Sequence, residues 1–112
     1  NVLMDCWINH CKQHAYDHNG NWASQGTVIA SLLTHMLNEP YLLLPPPKST
    51  GRELFNLAWI EQALEATASY DLTDEQLLAD IQRTLLELTA ETIVRALNSH
   101  YCQQYVFAQP VS

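Results

Sequence analysis

The stretch Pro45-Pro46-Pro47-Lys48-Ser49-Thr50-Gly51-Arg52-Glu53-Leu54-Phe55-Asn56 sets two basic side chains, two hydroxyls and a glycine ahead of an apolar helical pattern. That chemistry suits an anion. A helix start offers free N–H groups and partial positive charge. Lys48 and Arg52 flank it, and Gly51 lets a ligand approach the backbone closely. Glu53 partly offsets the field. A nucleotide phosphate loop does not fit, because it needs a glycine-rich turn before the lysine, with amides that close around phosphate. Here three prolines stand in that place, and proline has no N–H to offer. A capped helix with two solvated basic side chains remains the plainer alternative.

Other residues carry weaker signals. His10 and His14 are four apart and would share a helix face, with Cys11 between them and His18 beyond. Such a face can ligate a metal, but a structural site needs a fourth ligand and supporting carboxylates. Polar surface residues are the better reading, and no metal site is expected. Asp5, Asp17, Asp71 and Asp74 show no pairing that would tune one of them for acid–base work. Asp5 stands out because it lies among apolar residues. Trp7, Trp22 and Trp59 read as core or core rim.

These residues need elements to hold them. Val2 to about Gln13 has helical spacing of apolar residues, with Asn1 as an N-cap. Asn19-Gly20 marks a turn within a loop from Tyr16 to Asn21. A second helix is predicted from near Gln25 to Leu37, capped by Ser24 and stopped by Asn38-Glu39-Pro40. Thr50-Gly51-Arg52-Glu53 has the capping-box pattern, and predicts a helix from about Gly51 to Glu65 that buries Phe55, Trp59 and Ala63. Ala66 to Leu72 reads as a linker. Thr73-Asp74-Glu75-Gln76 is a second capping box, opening a helix from about Asp74 to Leu97 whose stripe is Leu78, Ile81, Leu85, Leu88 and Thr92. Tyr101 to Ala108 alternates weakly and predicts one strand, which would have no partner in this chain. The fold class expected is mainly α, about four helices plus one C-terminal strand.

The totals narrow the function. The chain has 112 residues, five Lys+Arg against twelve Asp+Glu, and a formal charge of -7. Such a balance disfavours nucleic acid, whose nonspecific binding needs basic groups, and disfavours an anionic membrane surface. Three cysteines at irregular spacing do not form a disulfide framework, so a reducing compartment is expected. The longest strongly apolar run, Tyr41 to Leu44, is far too short to span a bilayer. The chain opens at Asn1 directly in helical periodicity and is expected to be part of something longer.

Several segments together resemble the anhydro-N-acetylmuramic acid kinase family. Asn1-Val2-Leu3-Met4-Asp5-Cys6-Trp7-Ile8 is similar to that family's N-x-L-x-D-x-W segment, which follows its D-T-G-P-G motif. Asp17-His18-Asn19-Gly20-Asn21-Trp22-Ala23 resembles its D-x-x-G-x-W-A loop. Pro46 to Asn56 resembles its P-x-K-S-T-G-R-E-x-F-N signature, and Thr84-Leu85-Leu86-Glu87-Leu88-Thr89-Ala90 its T-L-x-E-L-T-A helix. The matches run in family order to about Ala96.

The resemblance implies a cytoplasmic enzyme of bacterial cell-wall recycling, built on the two-domain α/β fold of the actin, hsp70 and sugar kinase superfamily (ribonuclease H-like). Such enzymes hydrolyse the 1,6-anhydro bond of anhydro-N-acetylmuramic acid and phosphorylate O6, using ATP and a divalent cation such as Mg. This chain would be a helical portion of the second domain. The catalytic base is the family's motif aspartate, expected upstream of Asn1, so no catalytic residue is expected within the chain. Asn1, Asp5, Lys48, Ser49, Thr50, Gly51, Arg52 and Glu53 are the expected substrate-binding residues. Departures exist: where the family runs into a glycine-rich turn, Tyr105-Val106-Phe107 is followed by Ala108-Gln109-Pro110-Val111-Ser112. The chain alone is therefore expected to hold neither ATP nor Mg tightly and not to catalyse. Helix stripes awaiting a sheet favour a homodimer. The rival reading is a free-standing, non-catalytic helical interaction module with a kinase-like sequence.

Overall fold

The computed structural model describes residues 2–39 and 55–108. Four helices make the frame: α1 (Val2–Lys12), α2 (Ala30–Leu37), α3 (Leu57–Thr67) and α4 (Glu75–Ala108). Two short 3-10 turns, His18–Gly20 and Ala23–Gln25, lie between α1 and α2. The described residues are mainly helical and contain no strand. None of their helices is long and apolar enough to cross a membrane.

The long α4 is the spine. Its Ile81, Leu85 and Leu88 are buried at helical spacing, as the stripe predicted, while Leu78 and Thr92 are half-buried. Against them pack Leu3, Trp7 and Ile8 of α1 and Leu32 and Met36 of α2. Ile60 and Leu64 of α3 complete the cluster by packing on α1 and α2. Burying each such side chain contributes about 1.5–3 kcal/mol. The hydrophobic effect is non-directional, and interdigitated side chains together with polar contacts set the register.

Several predicted boundaries move, each for a stated reason. The second helix starts at Ala30, not near Gln25, and Ile29 precedes it with no side-chain cap. Acceptors on α4 hold the preceding backbone instead. Asp80 accepts from the Thr27 amide at 2.8 Å, and the Thr84 hydroxyl from the Ile29 amide at 2.9 Å. Ser24 is no cap; its hydroxyl donates to the Asn21 carbonyl. The third helix starts at Leu57, because the Asn56 side chain caps it by accepting from the Trp59 amide at 3.0 Å. The later start turns its buried face to Ile60, Ala63 and Leu64, and leaves Phe55 and Trp59 half-buried. At its far end it runs two residues past Glu65, to Thr67. The proposed capping box at Thr50 to Glu53 lies outside the described residues.

The predicted strand at Tyr101 to Ala108 is helix, the last part of α4. With no neighbouring strand, extended backbone would leave every N–H and C=O unpaired, whereas a helix closes those bonds within itself. At its other end, Asp74 accepts from the Gln76 amide, and the Thr73 hydroxyl and amide donate to Asp71. Those two bonds, the hydroxyl's first, hold the Asp71 carboxyl below its usual range.

Candidate functional site

One face of α1 opens onto a groove of about 610 Å³. Asp5, Cys6 and Asn9 line it from the helix; Phe55 and Asn56 line it from across. Asp5 is half-buried here, and Leu3, Met4, Trp7 and Ile8 are buried on the other side of the helix. The alternation follows from helical geometry: residues one position apart point about 100° apart, so Asp5 can face out between Met4 and Trp7.

Phe55 and Asn56 end the stretch that runs from Pro45 through Lys48 and Arg52. Phe55 meets the Trp59 ring edge-on, with centroids 5.0 Å apart, and Asn56 caps α3. The structure therefore brings Asp5 together with the end of that stretch. Asn1, Lys48, Ser49, Thr50, Gly51, Arg52 and Glu53 lie outside the described residues.

The loop after α1 contains the best-built polar contacts. Asp17 accepts from the amides of Trp22 and Ala23, both at 2.9 Å, one on each carboxylate oxygen. Its Oδ2 also accepts from the buried Gln82 side chain at 3.3 Å. Gly20 sits at φ 66° and Asn19 at φ 54°, left-handed conformations that turn the chain back on Asp17. Glycine adopts that conformation without strain, and asparagine tolerates it. Trp22 is buried by this arrangement, and the Lys12 ammonium lies 5.1 Å from its ring. Sequence reasoning left Asp17 unassigned. The available signal was its spacing: a carboxylate ahead of an Asn-Gly turn and a Trp-Ala pair.

The histidine face dissolves. Gln13 takes φ 57° and ends the helix after Lys12, so His14 is not one turn beyond His10 on the same helix. His10 packs against the Trp7 ring instead. Among the described residues no group of three His, Cys, Asp or Glu is arranged to hold a metal.

Burial pushes the Cys11 thiol up to about 11, the Lys12 ammonium pulling the other way. Thiolate is the reactive form. At pH 8 the folded chain should therefore alkylate at Cys11 about a hundredfold more slowly than in denaturant, the effect of two pKa units. Peptide-resolved mass spectrometry reads this directly, and equal rates in both states would refute it.

Comparison with known proteins follows this geometry. A sequence profile of the anhydro-N-acetylmuramic acid kinase family matches residues 1–108. The chain belongs to that family. Curated proteins named anhydro-N-acetylmuramic acid kinase agree: one from Nitrosomonas europaea is 45% identical over 104 residues, covering 90% of this chain and 26% of the relative. Others come from Bordetella avium, 49% identical over 92% of this chain and 27% of the relative, and Vibrio cholerae, 52% identical over 84% and 24%. The chain thus spans about a quarter of the length of the curated relatives it matches.

Within the kinase family's motifs, the structure separates folding residues from groove residues. Trp7 donates its indole N–H to the Leu78 carbonyl at 3.0 Å, fastening α1 to α4. Asp17, Trp22 and Ala23 form the closed loop just described. Thr84 opens the T-L-x-E-L-T-A segment, and its hydroxyl holds the Ile29 amide while donating to the Asp80 carbonyl. Asp5, Phe55 and Asn56 are motif residues that line the groove.

Proposed function

We propose that the chain is a helical portion of the second domain of a kinase with the sugar-kinase fold, which opens the 1,6-anhydro bond of anhydro-N-acetylmuramic acid and phosphorylates O6. The observation that supports this reading is the groove itself, where Asp5 of one family motif meets Phe55-Asn56, the end of another. Family membership at 45–52% identity favours it over a non-catalytic interaction module.

In this reading the groove is the sugar side of the cleft. Asp5 accepts a hydrogen bond from the sugar, and Asn1 lies near the reacting centre. Lys48, Ser49, Thr50, Gly51, Arg52 and Glu53 precede Phe55 in the chain with only Leu54 between, and hold the anionic groups. Arg52 takes the lactyl carboxylate by two parallel N–H bonds, a geometry that guanidinium provides and ammonium does not. The bond that breaks joins the anomeric carbon to O6. Water supplies the new hydroxyl on that carbon, its proton passes to a base upstream of Asn1, and O6 takes the γ-phosphoryl group of ATP.

ATP and Mg are cofactors of the whole enzyme in this proposal, which is cytoplasmic, takes no nucleic acid or membrane as partner, and forms a homodimer.

The test is Arg52→Ala in the full-length kinase carrying this segment. Its KM for the anhydro-sugar should rise about tenfold or more while its KM for ATP stays put, as expected when one charged two-point contact is lost. A sugar KM that does not move would remove Arg52 from the site.

A further inference from the structure

We propose that Gln82 is a positioning residue: its side-chain amide sets the register of α1, and so the placement of the groove that Asp5 lines. This rests on the reading of that groove as the sugar site. Gln82 lies two turns into α4 and has no solvent exposure. Its Nε2 donates to the Met4 carbonyl at 3.2 Å and to Asp17 Oδ2 at 3.3 Å. Met4 immediately precedes Asp5, so one nitrogen ties together α1, α4 and the Asp17 loop. Its Oε1 is buried and has no hydrogen-bond partner among the described residues.

That orphan oxygen is informative. A buried acceptor with no partner is unfavourable, and a methionine of similar volume would fill the same space without it. Swapping the two amide atoms does not help, because it would aim an oxygen at a carbonyl and a carboxylate. The side chain is thus a poor choice for stability alone, and its value lies in what its two N–H groups hold. Apolar burial between α1 and α4 is non-directional, so directed hydrogen bonds add to the register that interdigitated side chains provide. The Gln82 and Trp7 bonds both run directly between α1 and α4. Trp7 fixes the middle of α1 against Leu78. Gln82 fixes the turn that carries Asp5 and Cys6, and couples it to the loop that buries Trp22.

The deciding experiment is Gln82→Met in the full-length kinase carrying this segment, read in three ways. The substitution keeps volume and removes both donors and the orphan, so the melting temperature should fall by only a few degrees. The alkylation rate of Cys6, which lines the groove beside Asp5, should change at least about threefold well below the melt, the order of effect of one lost hydrogen bond. The sugar KM should rise in step while the ATP KM holds. A Cys6 rate identical to wild type would overturn the proposal, whatever the melt shows. The two readings fail separately: if the wild-type enzyme does not phosphorylate the anhydro-sugar, the sugar-site reading falls, while the Cys6 rate still decides whether Gln82 positions α1.

Discussion

Replacing Gly26 with alanine should lower the unfolding free energy by about 3 kcal/mol, the upper range for overpacking a closed contact. The melting temperature should fall by about 15 °C, given roughly 4–8 °C per kcal/mol for a domain of this size. The sign is not obvious from backbone conformation. Gly26 sits at φ -101° and ψ 170°, an extended geometry open to any residue. In an uncrowded place, alanine there would stabilise by about 0.4–1 kcal/mol through the unfolded state. Crowding decides otherwise. A Cβ at Gly26 would lie 2.2 Å from the Ala79 carbonyl oxygen, 2.4 Å from its carbon and 2.7 Å from the Asp80 nitrogen. All three are backbone atoms of α4, which cannot swing aside as a side chain would. The neighbouring bonds from Gln76 to the Gln25 carbonyl and from Thr27 to Asp80 hold the segment against the helix. Relief would have to break them. Thermal and chemical melts of Gly26→Ala beside wild type are sufficient, and an unchanged or higher midpoint would show that the segment can lift off α4 cheaply.

The same segment shows what could be read from sequence and what could not. The stripe of α4 was legible because Ile81, Leu85 and Leu88 repeat at the helical period, and burial follows period. The rows of α2 were legible for the same reason, in Leu32 and Met36. The stretch from Gln25 to Ile29 was not. Gly26 and the β-branched Thr27, Val28 and Ile29 are weak helix formers, but the apolar spacing of Val28 and Ile29 with the rows of α2 extends the predicted helix back toward Gln25. The residues that keep it extended, Asp80 and Thr84, are more than fifty positions away. Tertiary acceptors and local propensity act together there against the apolar period, and no window of sequence contains both hydrogen-bond partners. Asn56 shows the milder form of this failure. It is a good cap by type, but Thr50 offered a stronger capping pattern six residues earlier.

The candidate site divides similarly. Asp5 could be singled out as polar among apolar residues, and it does face the groove. Its companions across the groove come from a segment fifty residues on, so their meeting was legible only through the family's motifs. His10 and His14 do not share a helix face, because one left-handed residue, Gln13, ends the helix between them. Nothing in the residue type of a glutamine announces that conformation. Gln82 was invisible, since a lone glutamine in an amphipathic helix reads as surface.

Asp17→Ala should cost about 3 kcal/mol and open the loop it closes. The carboxylate is the acceptor for three donors: the amides of Trp22 and Ala23 and the Gln82 side chain. Hydrogen bonds to a charged group contribute about 1.5–3 kcal/mol each, but not additively where partners are shared. Water can reach part of this half-buried site, which moderates the loss. Asp17→Asn should recover little, because an amide offers one acceptor oxygen and turns its own N–H groups toward a donor. Both variants should speed hydrogen exchange at the Trp22 and Ala23 amides far more than at the middle of α4. The effect should also reach α1, since Gln82 would lose one of its two acceptors and hold Met4 less firmly. Cys6 alkylation in Asp17→Ala should therefore shift in the same direction as in Gln82→Met. If the loop amides exchange faster and Cys6 does not respond, the loop and the groove are separate, and Asp17 serves only to bury Trp22.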